Sequence, residues 1–143
     1  MKIVIIHLGN MSECIVASSV NKALASKHKG AEITWIVADE SIRDIFKYNR
    51  NVFKAYLVDE FFSQYEGNSF DLLIDLSPSD NYTDKIFATK KKGFAFESEN
   101  SKYFNCIYKD TSLNMNLFQI YFRLAGLSWR GQGYDLSYKP KAK

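Results

Sequence analysis

The segment Lys2-Ile3-Val4-Ile5-Ile6-His7-Leu8 constrains this chain more than any other. It is an almost unbroken apolar, β-branched run with no polar alternation. A strand with one wet face alternates apolar and polar side chains, so an unbroken run demands burial on both faces. Such a strand belongs to a parallel sheet covered by helices on both sides. Gly9-Asn10 turns the chain, and residues 11 to 28 read as a helix with Val16, Ala17, Val20, Ala23 and Leu24 as its apolar stripe. Gly30 ends that helix, and Glu32 to Val37 is the next strand. Strand, helix, strand makes a βαβ unit with a right-handed crossover.

The rhythm continues along the chain. Asp39 or Ser41 caps a short helix through Tyr48, Val52 to Val58 is a third strand, and Asp59 to Tyr65 is a short helical segment. Phe70 to Leu76 is a further strand, and Ser77 to Asn81 a loop punctuated by proline and small polar residues. Tyr82 to Thr89 reads as helical, Lys92 to Glu97 as a strand, and Glu99 to Asn105 as a loop before a short edge strand at 106–109. The last helix carries Leu113, Leu117, Ile120, Tyr121 and Leu124 at helical spacing, with Ser112 to start it and Gly126 to stop it. The expected fold is α/β: a Rossmann-like, doubly wound, mostly parallel sheet with helices on both faces. Residues 2–8 lie at its centre, with 32–37 on one side and 70–76 on the other. One domain occupies 1–130, and 131–143 is a tail or interdomain linker.

Composition narrows the function. With 46% hydrophobic and 24% charged residues in a chain of 143, a domain of this size buries a core without help from disulfides or metals. Cys14 and Cys106 make no disulfide framework, and their spacing fits no zinc motif. No apolar stretch approaches the roughly 20 residues of a membrane span, and the first residues do not read as a signal peptide, so a reducing cytoplasm is expected. The net charge of +3 is mainly lysine, including the run Lys90-Lys91-Lys92, which reads as a solvated connection between a helix and a strand. Nucleic acid is not an expected partner, since arginine-rich geometry and aromatic platforms on a basic face are missing. Acidic substrates or an anionic membrane surface suit this charge better.

In a sheet of this kind the ligand crevice lies beyond the carboxyl ends of the strands. The first loop there, Gly9-Asn10-Met11-Ser12-Glu13, has one glycine where a dinucleotide fingerprint needs several, and it lacks a phosphate-binding lysine. No cofactor is therefore expected. Glu13 has two readings. It is a general base at the mouth of the sheet, or it is the glutamate of a capping box with Asn10. His7 at the strand end is a sugar or phosphate ligand or a satisfied core-edge histidine. Asp75, at the end of a later strand, is a crevice residue or a turn residue. His28 fits favourable contact with a helix C-terminus, and Cys14 a small buried residue.

The ordered set of segments resembles glycosyltransferase family 9, the ADP-heptose:lipopolysaccharide heptosyltransferases. Lys2 to Glu13 is similar to its opening strand and loop, and Ala31 to Val37 to its second strand. Phe70-Asp71-Leu72-Leu73-Ile74-Asp75-Leu76 is similar to its "YDLVIDLQ" segment, Lys92-Gly93-Phe94 to its "R-x-G-F" piece, and Leu117 to Gly126 to the last helix of its first domain. The resemblance runs over about 1–128 and implies the acceptor-binding first domain of a two-domain GT-B enzyme.

It implies that Glu13 stands where the family has a catalytic aspartate, with Ser12 in place of the preceding glycine. His7 stands in place of a basic residue, and Ser77 in place of a glutamine. Gly9, Asn10, Met11, Ser12, His7, Asp75 and Ser77 are then the acceptor-side binding residues. The implied partners are a sugar or glycolipid acceptor and a C-terminal nucleotide-sugar-binding domain or partner chain. The sequence ends where that domain is expected to begin, so the chain is not expected to turn over alone. The alternatives are a non-catalytic binding or assembly module on the same fold, and a small autonomous enzyme built around His7, Glu13 and Asp75.

Overall fold

The computed structural model describes residues 1–47, 49–65, 67–76, 82, 85–93 and 117–131. Five parallel strands are placed in the order β3-β2-β1-β4-β5. They are β1 Lys2–His7, β2 Glu32–Val37, β3 Lys54–Leu57, β4 Ser69–Asp75 and β5 Phe87–Gly93. The helices whose full ranges lie among the described residues are α1 Met11–Ala17, α2 Val20–Lys27, α3 Glu40–Ile45, α4 Val58–Tyr65 and α5 Leu117–Leu124. The opening run is the central strand, as its lack of polar alternation requires, with β2 pairing on one side and β4 on the other.

Alternation along β1 splits the interior into two cores. Ile3 and Ile5 pack with Trp35, Ile74 and residues of α1, α2, α3 and α5. Val4 and Ile6 pack with Ile36, Leu73 and Phe61 of α4 on the other face. Trp35 stacks on Phe46 with ring centroids 4.6 Å apart, and its indole N–H donates to Asn21 Oδ1 at 2.8 Å. Burying that indole thus requires a polar residue inside α2.

Several expectations change. The helix read over 11–28 is two helices, broken at Ser18-Ser19. Both hydroxyls donate back to carbonyls three residues earlier, at 2.5 Å to Ile15 and 2.7 Å to Val16, which competes with the regular ladder. The third strand shortens to 54–57 because Val58 opens α4, and the short helix after Asp39 ends at Ile45. The strand read over 92–97 begins earlier, so Phe87, Ala88 and Thr89 are strand rather than helix. Lys90, Lys91 and Lys92 consequently lie within β5 rather than in a connection, paired with Leu72, Leu73 and Ile74. Buried β4 needs hydrogen-bond partners along its outer edge. Lysine supplies backbone for that pairing while its long stem carries the charge outward.

The segments 94–97, 99–105 and 106–109, Ser112, and 132–143 of the tail fall outside the described residues. Gly126 does stop α5. Its φ is +76°, and Leu127 N–H bonds the Phe122 carbonyl at 2.7 Å, the long bond of a Schellman cap. Lys27 Nζ donates to the Gly126 carbonyl at 3.1 Å, and Lys92 Nζ occupies the space a Gly126 side chain would take. Two ammonium groups thereby meet the negative end of the α5 dipole. Gly126→Ala meets a left-handed backbone, whereas the Lys92 ammonium, the end of a flexible side chain, can move aside. The substitution should lower stability by about 1–2 kcal/mol, read as a shift in denaturant midpoint.

Candidate functional site

The two-residue period of β1 sets where its last side chain goes. His7 follows Ile3 and Ile5 onto the face beneath α5, where Tyr121 waits. The imidazole is 1% exposed. Its Nδ1 accepts from the Gly9 backbone N–H at 3.2 Å, which assigns the ring proton to Nε2. Nε2–H then donates to Tyr121 Oη at 2.8 Å, with the rings edge to face at 5.4 Å. Burial pushes His7 down to about 4, with the nearby Glu13 charge only partly opposing it. His7 is therefore neutral near pH 7. Burial, with the Glu13 charge adding to it, also pushes the Tyr121 phenol up, so the hydroxyl stays protonated.

The turn after β1 is built around a missing side chain. A Cβ at Gly9 would lie 2.7 Å from Glu13 Oε1 and 2.7 Å from His7 Cε1. Glycine is required for this close approach of backbone, carboxylate and ring, not for an unusual φ. Asn10 is the N-cap of α1, and its Oδ1 accepts from Glu13 N–H at 2.9 Å. Glu13 Oε1 accepts in return from Asn10 N–H at 3.3 Å, completing the capping box. Glu13 and Ser12 are exposed, whereas Met11 is half-buried against the core. Next to Glu13, Cys14 is buried, and its thiol is pushed up to about 12 by burial and by the Asp39 charge, so it is no nucleophile.

Asp75 lies elsewhere. It pairs in register with Ile6, follows Leu73 onto the α4 face, and is fully buried. The sheet separates it from His7. The structure thus gathers His7, Gly9, Asn10 and Glu13, keeps Asp75 apart, and leaves Ser77 outside the described residues. His28 is the C-cap of α2, but burial and its neighbours Lys27, Lys92 and the N-terminus lower its pKa, which disfavours a charged dipole contact. Tyr121 is the participant that sequence reasoning missed. Its signal was a hydroxyl-bearing ring set in the apolar stripe of the last helix.

The class of fold is a Rossmann-like parallel sheet with a loop-and-helix site at the carboxyl end of its central strand. Solved structures share that fold. The E. coli heptosyltransferase WaaC with ADP matches 96% of this chain with TM-score 0.68 and 15% identity. With ADP-2-deoxy-2-fluoro heptose the same protein matches at TM-score 0.68 and 14% identity. A glycosyl transferase family 9 structure from Veillonella parvula DSM 2008 matches 87% of the chain at TM-score 0.70 and 16% identity. The matches take in 51%, 52% and 40% of those chains, so this chain spans about half their length. No family model and no curated protein matches the sequence.

Two outcomes follow for the buried histidine. The unfolded chain takes up the His7 proton near pH 6.5 and the folded chain only near 4, so between these values the unfolded state binds more protons. Stability is complete above pH 6.5 and falls as pH drops toward 4, by up to about 3 kcal/mol from this group. His7→Gln keeps an N–H donor for Tyr121 but does not titrate, so its denaturant midpoint should fall less over this window than that of the wild type. Tyr121→Phe leaves Nε2–H without its acceptor and should cost about 1–3 kcal/mol at pH 7, measured the same way.

Proposed function

We propose that this chain is the acceptor-side domain of a heptosyltransferase-like sugar-transfer enzyme. The observation that carries the reading is a carboxylate, Glu13, presented at the first turn of α1 beyond the central strand, on a fold shared with half of a heptosyltransferase. In this reading Glu13 takes the proton of an acceptor hydroxyl. The acceptor oxygen then bonds to the anomeric carbon of the donor sugar as the bond to the nucleoside diphosphate breaks. Gly9 lets the carboxylate approach the loop. Asn10 aims the carboxylate, and neutral His7 with Tyr121 forms the wall behind it.

The nucleotide sugar is held by a second domain or partner chain, so the domain alone binds acceptor and does not turn over. It works in the cytoplasm, and its net charge of +3 favours contact with an anionic membrane surface that carries a glycolipid acceptor. A second reading, a non-catalytic binding or assembly module, is favoured by one observation: the capping box already occupies Glu13 Oε1.

Calorimetric titration with ADP and an ADP-sugar should show no saturable micromolar site, and a stoichiometric one overturns the acceptor-side assignment. Rejoined to a donor domain, the chain should transfer sugar. Glu13→Gln should cut that turnover by about 100-fold or more with little change in stability, because the amide keeps the capping bond but cannot accept the proton. Turnover unchanged in Glu13→Gln leaves the binding-module reading.

A further inference from the structure

The sheet face opposite His7 packs against α4. Between α4 and the start of β5 a cavity of about 650 Å³ opens. Its volume lies in the range of small-molecule sites. Buried Phe61, Phe70 and Ile86 contribute to its lining. Phe62 and Tyr82 stack with centroids 6.0 Å apart and planes 30° apart, and Phe87, 68% exposed, also lines the opening.

Asp59, Asn68 and Lys85 are the exposed polar groups of the same cavity. Among the described residues none of the three has an ion pair or a side-chain hydrogen bond. The Lys85 ammonium stands 6.0 Å from the Tyr82 ring centroid.

We propose that this cavity binds a neutral pyranose ring, either as a free sugar or as the head of a glycolipid. A pyranose has a C–H face that packs on aromatic rings and a girdle of hydroxyls that both donate and accept. Asp59 only accepts, Lys85 only donates, and the Asn68 amide does both, so hydroxyls suit each of the three. An acyl chain leaves these polar groups desolvated without partners. A phosphorylated ligand meets the Asp59 carboxylate, and a cationic one meets Lys85. The site lies on the α4 face and its chemistry is independent of Glu13, so it stands or falls apart from the acceptor-side reading.

Saturation-transfer NMR of the whole chain with methyl β-galactopyranoside and methyl α-glucopyranoside tests the assignment. A saturable site with Kd on the order of millimolar is expected for a single ring. Phe87→Ala, at an exposed position that leaves the core intact, should weaken it about fivefold or more, and Tyr82→Ala likewise. Glu13→Gln should leave it unchanged. Flotation with vesicles containing monogalactosyldiacylglycerol separates the sources. Retention lost in Phe87→Ala and absent on plain phosphatidylcholine assigns a glycolipid head, and binding of the free glycoside alone assigns a soluble sugar. Absence of saturation with both glycosides and with the galactolipid vesicles overturns the proposal. So does binding that the aromatic variants leave intact, or equal retention on plain phosphatidylcholine.

Discussion

The burial of β1 on both edges and both faces governs the rest of this structure. From Ile3 to His7 every residue is buried, so each backbone group must find its partner in β2 or β4 and each side chain in one of two cores. Apolar residues meet that demand cheaply. The histidine at the end does not, because a polar ring removed from water needs both of its nitrogens occupied. One nitrogen finds the Gly9 N–H and the other the Tyr121 hydroxyl. A single buried residue thereby fixes the tautomer, the course of the following turn and the docking of α5 on the same face.

The same turn reconciles two opposed requirements on Glu13. A carboxylate beside a buried ring is uncomfortable unless it is held, and the N-terminus of α1 holds it through the Asn10 backbone N–H and the positive end of the dipole. Being exposed at that point, it keeps its contact with water while standing against the neutral imidazole. Capping and chemistry are therefore compatible uses of one side chain. Under the proposed reading a general base benefits from a fixed position, and the capping box supplies it.

Much of the fold could be read from the residues because its signals are strong. The unbroken run at β1, the βαβ spacing and Gly126 each admit few alternatives, and the strand neighbours of β1 follow from them. The lysine run misled for a physical reason: charge usually marks a connection, yet a strand beside a buried neighbour needs only backbone, and lysine provides that. The break at Ser18-Ser19 was hidden because serine is tolerated in helices, and only the two back-bonds reveal the competition. At the site, the Asn10–Glu13 pairing could be read from spacing alone. That His7 and Asp75 face opposite sides of the sheet depends on strand register, and the Tyr121 contact on how α5 docks. Neither is encoded locally.

The hydrogen bond from His7 to Tyr121 spans 114 positions of sequence. At a synthesis rate of about 5–20 residues per second, the histidine leaves the ribosomal peptidyl centre about 6–23 s before its partner is made. During that interval β1 can gain β2 and the helices α1 to α3 early and β4 later, but the part of its face that α5 covers stays open. The nascent chain thus carries an open apolar groove with an unsatisfied imidazole at one end. In the cell, the vulnerability of this domain to misassembly is set by the delay before its last described helix is made.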